Sequence, residues 1–110
     1  MNGTAIERQE VGPEGLSRLH LAGPLTAATA PKLRARVRNA VQRGHARLVV
    51  DLEAVTGLDA AGIAALLDAR RLLRAQAGGT LVLRVNALVC RALKDSGTIA
   101  AFALTHGSGM

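Results

Sequence analysis

Any chemistry in this chain has to come from a short roster: three histidines, one cysteine and a few carboxylates and hydroxyls. His20, His45 and His106 are far apart and lack the ligand spacing of a metal site. Cys90 has no companion cysteine and no nearby histidine, so it reads as a packed or partly exposed thiol, not a nucleophile. Asp51 lies within or at the end of a strand, and Asp59 stands just before a helix. Neither has a nucleophile or electrophile beside it in sequence, so they do not form a working carboxylate pair. Gly78-Gly79 fits a helix-to-strand turn, and no GxGxxG or Walker pattern accompanies it. These residues assign no catalytic group, no metal and no cofactor, and a non-enzymatic protein is expected. The stretch that remains is "VTGLDAAGIAALL", residues 55–67, where a strand turns into an apolar helix through Asp59-Ala60-Ala61-Gly62. Asp59 stands where an N-cap should, with a carboxylate suited to orphan helix amides and to the helix dipole. A hydroxyl just inside such a helix start would be open to a kinase, and a phosphoryl group there adds about −1.5 to −2 charges. Alanine keeps the helix propensity and removes that chemistry.

The turn needs a fold to hold it. A chain of 110 residues suits one domain. With 49% hydrophobic and 20% charged residues it has an ordinary globular composition. The expected domain spans 1–110, with a core of about 4–104 and a loose tail at 105–110. One cysteine excludes an internal disulfide and fits a reducing cytoplasm. "MNGTAIERQE" is not a secretory signal, and no apolar run approaches the ~20 residues of a membrane span, so membrane insertion is not expected. The net charge of +6 permits an anionic partner. Phe102 is the only aromatic, however, so the stacking platforms of single-strand and RNA binders are missing. Most cations alternate with apolar residues in helical periods and read as a solvated helix face, with no direct nucleic-acid contact expected.

Thr4 to Val11 reads as a first strand and "GPEG" at 12–15 as a turn. "LSRLHLAG" alternates Leu19 and Leu21 against Arg18 and His20, the mark of a half-buried strand; the two strands suggest an antiparallel hairpin. Residues 29–43 form a first helix, with Thr29 as candidate N-cap, Pro31 in the first turn and Gly44 as its stop. Leu33, Val37, Ala40 and Val41 make its apolar stripe. "ARLVVDL" (46–52) suits a central strand. Residues 60–77 form a second helix and "TLVLRV" (80–85) a strand, joined by a right-handed crossover. A third helix spans 86–97, with Asn86 as cap and Gly97 as stop, and "AAFAL" (100–104) closes as a short strand.

This order, β-β-α-β-α-β-α-β, resembles the STAS domain family, which includes the bacterial anti-sigma factor antagonists. The resemblance covers about 16 to 104. It rests on "LHLAGPLTAATAPKLRARV", "RLVVDLEAVTGLDAAGIAALLDARRLLRAQAGGTLVLRVN" and "ALVCRALKDSG" in that order. It implies an α/β fold with a mixed β-sheet of about five strands and helices packed against it. In phospho-switched members the turn after the third strand reads Asp-Ser-Ser-Gly or close to it. The serine after the Asp accepts phosphate from a partner kinase that is also the anti-sigma factor. Asp59 and Gly62 match that pattern. Ala60 takes the phosphoacceptor position and cannot be phosphorylated, and Ala61 takes the next. Thr26 stands where the antagonists usually carry an Asp, in a loop thought to lie beside the phosphosite.

At about 100° per residue, Gly62, Ala65, Leu66, Ala69 and Leu73 cluster on the side of the second helix assigned to the sheet. Leu67, Ala60, Ala64 and Arg71 fall off that stripe, and Ile63 and Arg74 lie at its border. With the resemblance, the expected partner surface is Thr26, Asp59, Ala60, Ala61, Gly62, Ile63 and Leu67. Thr56 is expected to satisfy loop backbone groups, and Thr26 is a lesser candidate for modification. The reading is a cytoplasmic, non-enzymatic binding module of the antagonist type. Its expected partner is an anti-sigma factor with a kinase-like fold, with a homodimer or another STAS protein as further partners. The alternative is a STAS subunit of a phospholipid-transport or signalling scaffold complex.

Overall fold

A computed structural model describes residues 5–11, along their backbone, and 16–106. Five strands form one sheet in chain order. Strand β1 (Ala5–Val11) pairs antiparallel with β2 (Leu16–Leu25), so the hairpin expected at the start is present; its turn at 12–15 and Thr4 lie outside the described residues. Then follow helix α1 (Ala30–Gln42), β3 (Arg47–Leu58), α2 (Ala60–Arg74), β4 (Thr80–Val85), α3 (Ala87–Asp95) and β5 (Ala103–His106). Strands β2 to β5 are parallel. Each crossover moves one strand further in the same direction, and right-handed crossovers then stack α1, α2 and α3 on one face of the sheet. This is the mixed α/β architecture that the element order implied.

The core lies between sheet and helices. Leu19, Leu21, Leu48, Val50, Leu52, Leu81, Leu83 and Val85 point into it from the strands. Leu33 and Val37 of α1, Leu66 and Leu73 of α2, and Val89 and Leu93 of α3 meet them. Burying each such side chain is worth roughly 1.5–3 kcal/mol. The other sheet face is mixed, with Val49 and Val82 beside a polar row. His20, Asp51 and Arg84 are register partners on adjacent strands. The His20 Nδ1 lies 3.2 Å and the Arg84 Nη1 3.7 Å from the Asp51 Oδ2, so Asp51 is the middle of a cross-strand polar row.

Several boundaries differ from the sequence reading. Strand β3 continues six residues past 52, because β2 pairs with it as far as Leu25 against Leu58, whereas β4 stops at Asp51. Helix α2 ends at Arg74, not 77, in a turn where Gly78 takes φ +70° and a Cβ at Gly79 would lie 1.8 Å from the Leu73 carbonyl oxygen. Residues Ile99–Ala101 form a 3-10 helix, so the last strand starts at Ala103. It runs through His106, two residues into the segment expected to be loose, and residues 107–110 lie outside the described part.

Candidate functional site

Strands β2 and β3 are parallel and end in register, Leu25 beside Leu58. The loop after β2 and the start of α2 therefore leave the sheet side by side. Crevices outside the carboxyl ends of parallel strands are the usual place for function in α/β sheets. This end of the molecule brings together Thr26, Asp59, Ala60, Ala61 and Gly62, which lie far apart in two sequence segments.

Asp59 holds the junction from both sides. Its backbone is extended (φ −104°, ψ −177°), and its Oδ1 accepts from the Gly62 amide at 2.9 Å, so it is the N-cap that the sequence indicated. Its Oδ2 accepts from the Ala27 amide at 3.4 Å, and its own amide donates to the Leu25 carbonyl at 3.3 Å. Both carboxylate oxygens thus serve the backbone. Gly62 makes the approach possible. A Cβ there would lie 2.4 Å from the Leu25 carbonyl oxygen and 2.8 Å from the Leu58 Cδ1. Without that methyl group, the first turn of α2 settles onto the strand ends.

The loop is tied down separately. The buried Thr29 hydroxyl accepts from the Thr26 amide at 2.9 Å and donates toward the Pro24 carbonyl at 3.1 Å. Thr29 precedes α1 as expected but gives it no side-chain cap, because its backbone is already in the helical region (φ −112°, ψ −14°). Its hydroxyl staples the 24–29 turn instead. Thr26 is half-buried, with its amide used in this way and its carbonyl accepting from Thr29 and Ala30.

Among the described residues of the two segments, 26–28 and 59–64, only Asp59 is charged. Ala27, Ala28, Ala60 and Ala64 are exposed, and Ala61 and Leu67 are half-buried. Ile63 departs from its expected place. It is only 9% exposed and belongs to the core cluster, carried inward by the close seating of the first turn that Gly62 permits. Thr56 also departs. It is an exposed residue within β3 and satisfies no loop backbone, because the segment it was expected to brace is strand. The site contains no hydroxyl or thiol between 59 and 62. Among the described residues no group of three or more histidine, cysteine and acidic side chains is placed to hold a metal, and Cys90 is half-buried against the core.

Asn86 carries a role that sequence reasoning missed. It caps α3 as expected, accepting from the Val89 amide at 2.8 Å. Its Nδ2 also donates to the carbonyls of Glu53 (2.8 Å) and Val55 (2.9 Å), with Leu52 at 3.4 Å. These are the carbonyls that β3 exposes once β4 has stopped pairing with it. A side-chain amide thus substitutes for a missing strand and keeps the projecting half of β3 in place. A cap residue followed by a helix was visible in sequence, but its second set of partners was not.

A mixed sheet with four parallel strands, three crossover helices and a braced helix start at the strand ends defines the class as a single-sheet α/β domain. The STAS domain family profile matches residues 8–106, and the chain belongs to that family. It is similar in structure to an anti-sigma factor antagonist from Mycobacterium paratuberculosis, with 26% identity over 88% of this chain and 83% of that one and a TM-score of 0.70. It is also similar to the anti-sigma factor antagonist SpoIIAA. The unphosphorylated form is 19% identical over 89% and 86% of the two chains, TM-score 0.69. The phosphorylated Bacillus form is 18% identical over 92% and 90%, TM-score 0.71. A sulfate transporter family protein from Wolinella succinogenes matches at 22% identity over 89% and 83%, TM-score 0.74. No curated protein matches the chain. No helix of the described residues is long and apolar enough to cross a membrane.

Proposed function

We propose that this protein is a non-enzymatic partner-binding module of the anti-sigma factor antagonist type. It binds a kinase-like anti-sigma factor in the cytoplasm through the start of α2 and the 26–28 loop. The observation that carries the reading is the braced, nearly uncharged surface at Asp59–Gly62. It has the antagonists' Asp and Gly in place, and Ala60 where their phosphoacceptor stands. Apolar, rigid and small-residue surfaces admit close backbone approach by a partner. Thr26, Ala60, Ala61 and Leu67 supply the contact, and Asp59 and Gly62 supply its shape. Ile63 supports the surface from beneath. Binding is then not switched by phosphate at residue 60 and is controlled by expression or by another partner.

The test uses each kinase-fold anti-sigma factor of the host, purified singly. The wild-type chain binds one of them and takes up no phosphate from it with ATP. Ala60→Ser gains phosphorylation, read by intact-mass spectrometry, and loses binding once modified. Ala64→Asp, an exposed change one helical turn on, lowers affinity without unfolding the chain. Efficient modification of Thr26 or Thr56 in the wild type would refute the unswitched reading. The likeness to a sulfate transporter family protein favours a second reading, a STAS subunit of a transport or scaffold complex. Recovery of a transporter component with the native chain would select it.

A further inference from the structure

The chain's charge is unevenly placed. Helix α1 carries four cations and no acid, and α2 carries three cations and one acid. Together they hold the whole +6 excess of the chain, and the seven cations and seven acids elsewhere cancel. Between these two helices runs a trough of about 390 Å³. Its floor is apolar, made by Val37 and Leu72, and Arg34, Arg38 and Arg71 stand along its walls. Asp68 is the only acid in it. It bridges the helices, with its Oδ2 2.9 Å from the Arg34 Nε and its Oδ1 3.5 Å from the Arg71 Nη1. Arg38 is exposed, and Arg71 keeps 82% of its side chain in solvent.

We infer that this trough docks an acidic segment of the partner protein, in which carboxylates flank an apolar side chain that reaches the floor. The inference rests on the proposed partner surface, which continues into the trough along α2. Ala60, Ala64 and Arg71 follow one another on the same side of the helix, and Arg71 forms the trough's wall. Three guanidinium groups around an apolar strip match carboxylates in the fork geometry that arginine favours. A nucleic-acid backbone fits less well, because it would bring phosphates over the Asp68 carboxylate and an apolar floor and would find no aromatic to stack on. A second copy of the chain carries the same net charge of +6 and is repelled overall by the cationic trough. The single acid acts as a brake, holding two of the three cations on itself until a partner's carboxylates replace it.

The experiment measures the affinity of the full chain for the kinase-fold anti-sigma factor that binds it, by calorimetry at about 50 and about 300 mM salt, where screening differs strongly. Arg38→Glu with Arg71→Glu is expected to weaken binding about 100-fold at low salt and to remove most of the salt dependence. Arg38→Gln with Arg71→Gln gives an intermediate loss. Asp68→Asn tightens binding several-fold, about threefold to tenfold, an inverted sign that a merely structural role would not give. All of these residues are partly or largely exposed, and thermal melts establish that the variants are folded. If the double reversal binds within about twofold of wild type while Ala64→Asp does not, the trough is no docking surface and the proposed function still stands. If the wild-type chain binds no anti-sigma factor, both fall. Binding of phosphatidylglycerol vesicles or duplex DNA by the wild type, or a wild-type dimer in light scattering, would overturn the inference if the same reversal abolished it.

Discussion

The two capped helix starts in this molecule look alike and work differently. Asp59 and Asn86 share nearly the same extended backbone, and each accepts one amide bond from the third residue of its helix at 2.8–2.9 Å. Each also reaches across to a second segment. The carboxylate has only acceptors, so Asp59 reaches for an amide, that of Ala27. The carboxamide has donors, so Asn86 reaches for carbonyls, those of Glu53 and Val55. The choice of cap follows from which orphan groups lie nearby. One cap joins two segments at the carboxyl ends of β2 and β3, and the other closes the open flank of a strand.

Exchanging the two chemistries tests this contrast. Asn86→Asp should have the largest effect. It keeps the cap acceptor but sets an oxygen against two carbonyls, and a loss of about 3 kcal/mol in urea unfolding is expected. Hydrogen exchange should show the 53–58 half of β3 opening first. A loss below about 1 kcal/mol would mean that water replaces the amide and that the strand tie is incidental. Gly62→Ala comes next, at about 2 kcal/mol, since the new Cβ meets the Leu25 carbonyl and pushes the helix start off the strand end. An unchanged midpoint would remove close approach as the reason for the Asp59 geometry. The smallest effects belong to Asp59 itself. Asp59→Ala should cost about 1 kcal/mol as a lost cap, and Asp59→Asn about half of that, because the acceptor for Gly62 survives and only charge is lost. Equal losses for the Asp and Asn exchanges at the two positions would erase the distinction drawn between them.

What could be read from the chain was local. The alternation around Leu19 and Leu21, the α2 stripe from Gly62 to Leu73, the caps at Asp59 and Asn86 and the stop at Gly97 depend on neighbours in sequence, and the structure places them as expected. The departures arise where a distant segment decides. "EAVTGL" has little strand character of its own and is a strand because β2 lies beside it. Thr29 has a capping side chain, but the turn before it offers nearer partners. Ile63 sits at the edge of the periodic stripe, and its burial depends on how closely the helix start can approach Leu25. The pairing of the 26–28 loop with Asp59 followed from the family resemblance, and the register of Leu25 with Leu58 gives its physical cause.

The double anchoring of Asp59 also bears on how any partner would be met. Loop, cap and first helical turn are joined to one another and to the strand ends by several hydrogen bonds, so this patch has less conformational freedom to lose on association. Ordering loops and side chains at an interface ordinarily costs about 0.5–1.5 kcal/mol for each mobile side chain. Alanines carry no such cost, because they have no rotamers to freeze. A surface of this kind gains affinity through rigidity, and it tolerates mismatch poorly: a partner has to fit the shape already there.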